Sequence, residues 1–172
     1  MYLRYLFEIE KTLPFLVTCY LLCKDNIKLF RIRYFLQEFC STIVSYFQIT
    51  VIDAGFKQIF EFLEQKDQLY NVSTTFREVL GYVRKNILEI NFNLAFGNVG
   101  GRLALENILI TCNDFAKQVL LQETKNLFDI DESSVFHQII GFINVLKLCK
   151  SPLAQELSEI LDYNEFWKNY HS

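Results

Sequence analysis

The chain has 172 residues, enough for one domain with a substantial core. Half of it is apolar, with 17 Phe and 9 Tyr, so it either buries a thick core or presents an apolar surface to a partner. A net charge of −3 and the lack of any basic tract argue against nucleic acid, and no such partner is expected.

Only two prolines interrupt the chain, and apolar residues recur at three- and four-residue spacing almost throughout. The predicted class is therefore all-α: a compact bundle of about seven to eight helices in a single domain spanning 1–172. The first helix is expected at 2–24. Its uncharged apolar run, Leu13 to Cys23, holds Pro14 and Thr18 and is short of the about 20 residues that cross a bilayer, so it reads as a core helix. The upstream segment YLRYLFEIEK carries two glutamates with no small-residue cleavage site after it, which argues against a secretory signal.

The second helix is expected at 28–48. Its opening, DNIKLFRIRYF (Asp25 to Phe35), sets three basic residues among apolar ones. An anionic membrane surface would accept that pattern, but the solvated face of an ordinary amphipathic helix is the simpler reading. Further helices follow at 53–69, at 73–93 with Ser73-Thr74-Thr75 as its cap, and at 101–122 with Asn98 as its cap. The last three are expected at 132–150, capped by Asp131 or Ser133, at 153–161, where Ser151-Pro152 places proline in the first turn, and at 164–170. The terminal DYNEFWKNYHS is polar, so no transmembrane anchor is expected.

Five scattered cysteines, Cys19, Cys23, Cys40, Cys112 and Cys149, are an odd number in apolar surroundings, which suits free core thiols in a reducing compartment. Cys19 and Cys23 share a helix face, but no histidine accompanies them, so no metal or other cofactor is expected. Asn71-Val72-Ser73 is a glycosylation sequon with nothing else to support secretion.

An enzyme needs convergent polar groups, and the candidates are few. His171 is terminal, and His137 in SSVFHQIIGF reads as a helix-surface residue rather than a base. Glu61 and Glu64 read as helix surface, and Asp129, Asp131 and Glu132 as charge favoured at a helix start. The glycines of FGNVGGRLALENILI (Phe96 to Ile110) lack the spacing of either phosphate-loop fingerprint and no Lys-Ser/Thr follows them. The chain is expected not to be an enzyme.

Those glycines instead allow a tight turn or the close approach of another helix. After them, Leu105, Ile108, Leu109, Cys112, Phe115, Ala116, Val119 and Leu120 form a broad apolar side, with a narrow polar stripe through Glu106/Asn107, Asn113/Asp114 and Lys117/Gln118. Such a helix should pack deeply. Upstream, Phe76, Val79, Leu80 and Val83 follow i, i+3, i+4, i+7 spacing. A stripe, a glycine turn and Arg102 together would make a groove for an amphipathic helix, with the guanidinium offered to a carboxylate.

These residues resemble the Bcl-2 family. TTFREVLGYVRKN (Thr74 to Asn86) looks like the segment before the family's first homology motif, and NVGGRLALENILI looks like that motif, with Asn98, Gly101 and Arg102 in place. NEFWKNY (Asn164 to Tyr170) is similar to the second motif. The resemblance covers about residues 56 to 170 in order and spacing. It departs from the family in lacking the first motif's tryptophan, in one residue inserted between Asn98 and Gly101, in the longer join ILEINFNLAF, and in Glu165-Phe166 where a glycine usually precedes the second motif's tryptophan. Such divergence would suit a viral member.

The resemblance implies a bundle around a central helical hairpin, with a groove that captures the death-motif helix of pro-apoptotic relatives and thereby inhibits apoptosis. Phe76, Val79, Leu80, Val83, Asn98, Gly101, Arg102, Leu105 and Leu109 would form that groove, with Arg102 meeting the ligand's aspartate. The implied location is cytoplasmic, peripheral at mitochondria. Two alternatives stay open. One is an all-α interaction module of another kind, immune-signalling or self-associating as a homodimer; the other is a carrier of an apolar ligand. In a purely architectural reading, Arg102 pairs with Glu106 four residues on, the stripe is core, and Trp167 caps the base of the bundle.

Overall fold

A computed structural model describes residues 2–66, 77–81, 99–120 and 130–169, and these residues are all-helical. Helix α1 spans Tyr2–Thr18 and a short α2 Tyr20–Cys23, followed by α3 at Ile27–Tyr46. A π-helical segment, Phe47–Asp53, leads directly into α4 at Ala54–Lys66. Residues 77–81 are helical. After them come α5 at Val99–Leu120, α6 at Glu132–Leu148 and α7 at Pro152–Leu161. A 3-10 turn, Tyr163–Glu165, joins α7 to α8, Phe166–Asn169.

Two expected boundaries change. The helix read as 2–24 breaks at Cys19, where the Thr18 hydroxyl donates to the Pro14 carbonyl at 2.8 Å. Such back-bonding bends helices, and Pro14 has no N–H for the ladder. The helices read as 28–48 and 53–69 are one continuous run. Phe47 to Asp53 contains neither glycine nor proline, so nothing stops the helix, and the join is made by widening the turn.

The caps are also redistributed. Asn26, unforeseen in the sequence, caps α3 by accepting from the backbone N–H groups of Lys28 (3.1 Å) and Leu29 (3.3 Å). Asp131 and Ser151 occupy N-cap positions without making a side-chain cap, and Pro152 opens α7 as expected. The caps assigned to Ser73-Thr74-Thr75 and Asn98 lie outside the described residues.

The larger helices close a ring: α1 packs on α3, α3 on α6, α6 on α5, and α5 back on α1. Helix α7 covers α6 and α3, and α2 leans on α3 and α5. Inside the ring lie Ile9 and Leu16 of α1, Ile32, Leu36, Phe39 and Ile43 of α3, Leu105, Ile108 and Phe115 of α5, and Phe136, Ile139 and Phe142 of α6. Phe39 meets Phe142 at 5.5 Å and Phe35 meets Phe136 at 4.6 Å, both edge to face. Each such ring contributes about 1.5–3 kcal/mol of transfer free energy. Helix α5 is deeply packed as its narrow polar stripe predicts, although Leu120 at its end stays 36% exposed.

Polar contacts fix the register of the ring. Thr12 of α1 is buried and donates to Asn113 of α5, and Thr111 of α5 donates to Gln138 of α6 at 2.9 Å. The Tyr46 hydroxyl at the end of α3 donates to the Leu153 carbonyl of α7 at 2.8 Å. Burial and the nearby Glu156 carboxylate push this phenol well above the usual tyrosine range. All five cysteines are free and buried.

The run Ile27–Glu61 is long and apolar enough to cross a membrane by length and composition. Its apolar residues Leu29, Ile32, Phe35, Leu36, Phe39 and Ile43 are buried against the rest of the bundle, as in the core helix of a folded domain.

Candidate functional site

Helix α5 begins one residue before Gly100-Gly101, so both glycines lie in its first turn. Gly100 is exposed and Gly101 buried. Absence of a Cβ at Gly101 lets neighbouring atoms come close to the start of the helix. Arg102 is half-buried and engaged within the chain, and Glu106, one turn on, is also half-buried.

The other groove candidates separate by burial. Leu105 and Leu109 are fully under cover, at 0% and 5% exposure, and belong to the ring core. Leu103 and Ile110 on the opposite side of α5 are about half exposed. In 77–81, Val79 is half-buried and Leu80 is 53% exposed, so this stretch presents leucine outward and valine inward. Phe76, Val83 and Asn98 lie outside the described residues.

Residues 162–167, with Lys147, build a compact polar knot on an aromatic base. Trp167 is buried against Phe35 (5.4 Å) and Phe136 (5.0 Å), and its indole N–H donates to the Leu161 carbonyl at 2.8 Å. Asp162, itself buried, accepts from the Trp167 backbone N–H with one oxygen (3.1 Å) and from Lys147 with the other (2.7 Å). Both carboxylate oxygens are thus used, and α6, α7 and α8 are held together. Glu165, in the turn between, has φ of 54°, the left-handed region that favours glycine. A cavity of about 450 Å³ opens beside this knot, lined by Ile140, Ile143, Asn144, Lys147, Asp162, Glu165 and Trp167. Lys147 and Asp162 were not singled out from the sequence. The only sequence signal for them is an aspartate five residues before the chain's single tryptophan.

The basic opening of α3 is not wholly a solvated face. Lys28 and Arg31 reach across to Asp131 (3.1 Å) and Glu132 (3.9 Å) at the start of α6, all four at or near the surface. The Lys28 ammonium, hydrogen-bonded to Asp131, holds that carboxyl below the usual carboxylate range. Arg33 instead is buried. His137 is on the helix surface, its Nδ1 2.6 Å from the Ser133 carbonyl. Among the described residues, no group of three or more His, Cys, Asp or Glu is arranged to hold a metal ion. No family model matches the chain, and no curated protein or solved structure matches it either.

Proposed function

We propose that the chain is a Bcl-2-like helical-groove protein that binds an amphipathic death-motif helix and so restrains cell death. The observation that carries this reading is the backbone at Glu165. A non-glycine residue holds φ of 54° two positions before a buried tryptophan, where the resembled motif has its glycine. A conformation unfavourable for glutamate persists only where its surroundings impose it, and a left-handed backbone just ahead of the tryptophan supports the likeness to a motif that carries glycine there. The pairing of α5 with α6, with the Gly-Gly-Arg sequence in the first turn of α5, is consistent with the same reading.

On this reading an incoming helix meets Leu80 and Val79 first. Its aspartate takes Arg102 in exchange for the contact the guanidinium makes within the chain, and Leu105 and Leu109 support the floor from beneath. Titration of the protein with a panel of fluorescent death-motif peptides tests this. At least one peptide should bind at about 10 µM or tighter, and failure of every peptide at several tens of micromolar overturns the proposal.

A second reading, self-association, draws on Leu103 and Ile110, two exposed apolar residues on α5. Light scattering that gives a dimer mass, reduced to a monomer by Ile110→Glu, would favour it.

A further inference from the structure

The end of the bundle where α1, α2 and α3 meet combines two features. Phe15, Val17, Tyr20, Leu21, Leu22 and Ile27 are all exposed there, Leu21 by 68% and Ile27 by 69%. Around them stand Lys24, Lys28, Arg31 and Arg33, against Asp25, Asp131 and Glu132. Among the described residues, four cations stand at this end against three carboxylates, on a chain whose net charge is −3.

The second feature is Arg33. It is only 6% exposed, yet no carboxylate among the described residues pairs with it. Its guanidinium lies between the rings of Tyr20 (5.1 Å) and Phe30 (5.3 Å) and donates to the Gln37 side chain, while its Nε–H finds no acceptor among the described residues. Burying a guanidinium without a counter-charge is unfavourable. The ring that covers it, Tyr20, is half exposed and belongs to a four-residue helix.

We propose that this end is a docking surface for an anionic lipid bilayer. Leu21, Leu22 and Ile27 enter the boundary between headgroups and acyl chains, Tyr20 sits at headgroup level, and Lys24 and Arg33 receive lipid phosphates once the Tyr20 ring moves aside. An anionic bilayer supplies both needs at once, phosphates for Lys24 and Arg33 and an apolar phase for the exposed residues around them. The surface is separate from the proposed helix-binding site. The Cys19 thiol, next to Tyr20, approaches the Ala116 carbonyl, roughly 21 Å along α5 from Arg102 at 1.5 Å per residue.

Co-sedimentation of the full chain with vesicles tests the proposal, one set of phosphatidylcholine alone and one with about a third phosphatidylserine. The bound fraction should rise about fivefold or more on the anionic vesicles and fall as salt is added. Leu21→Asp with Ile27→Asp should return it to the phosphatidylcholine level. Both positions are exposed, so the variant keeps its thermal melt and its affinity for death-motif peptides, and failure here is distinct from failure of the helix-binding reading. Arg33→Met should lower the anionic excess about fivefold while leaving neutral vesicles unaffected. Equal binding to both vesicle types, no sedimentation with either, or wild-type binding by the aspartate variant overturns the proposal.

Discussion

Cys40 of α3 and Cys112 of α5 place their sulfurs 3.7 Å apart inside the bundle, both fully buried. Each thiol fills a position facing the other helix, so they act as small apolar residues joined by a weak S–H contact. The hydrogen bond to Cys40, reinforced by burial, pushes the Cys112 thiol well above its usual range. Both should resist alkylation in the native protein and react only after unfolding, as read by mass spectrometry. Cys112→Ala should cost about 1 kcal/mol in denaturant unfolding, through the small void it leaves.

Stability should also fall at alkaline pH. Burial raises the Cys23 thiol from its ordinary 9.0 to about 11, with Cys19 adding to the effect and Arg33 opposing it. The folded state therefore holds a proton that the unfolded state releases. Its contribution is fully present below pH 9 and is lost as pH rises from about 9 to 11. Tyr46, raised in the same direction, adds to the loss. Melting temperature should drop across that window, and the drop should be shallower in Cys23→Ala.

Glu165 holds a left-handed backbone that costs a non-glycine residue roughly 1–2 kcal/mol. Glycine relieves the strain but gives the unfolded chain more freedom. The net effect of Glu165→Gly should be a gain of about 0.5–1 kcal/mol in chemical denaturation. Glu165→Ala, which keeps the strain, should give no gain.

Arg33→Met should raise stability by about 1 kcal/mol, because it replaces a buried charge that has no carboxylate partner among the described residues with an apolar side chain of similar length. Gln37, which loses its donor, is only half-buried and can turn to water. A denaturant midpoint below that of the wild type would show that the stacking of Arg33 between Tyr20 and Phe30 outweighs the charge.

Periodicity was enough to read the all-α class and the later helices, because Pro152 and the apolar spacing of α5 and α6 carry local start signals. It was not enough for the stretch Phe47 to Asp53. A π turn adds a residue per turn without changing residue type, so its β-branched residues look like a gap between helices. The role of Arg33 was hidden too. Lys28, Arg31 and Arg33 look alike in sequence, and only packing against Tyr20 and Phe30 separates the buried cation from the two surface pairs. At the candidate site, the burial of Leu105 and Leu109 follows from their spacing. The Lys147–Asp162–Trp167 knot joins three helices and leaves no periodic trace.

The proposed helix-binding role rests on Arg102 meeting a carboxylate of the ligand. A double-mutant cycle between Arg102→Ala and Asp→Ala in a bound death-motif peptide measures that contact directly. The account predicts a coupling of about 1.5 kcal/mol or more, with the two single changes weakening binding to a similar extent. Additive effects, or an Arg102→Ala variant that binds as tightly as the wild type, would contradict it.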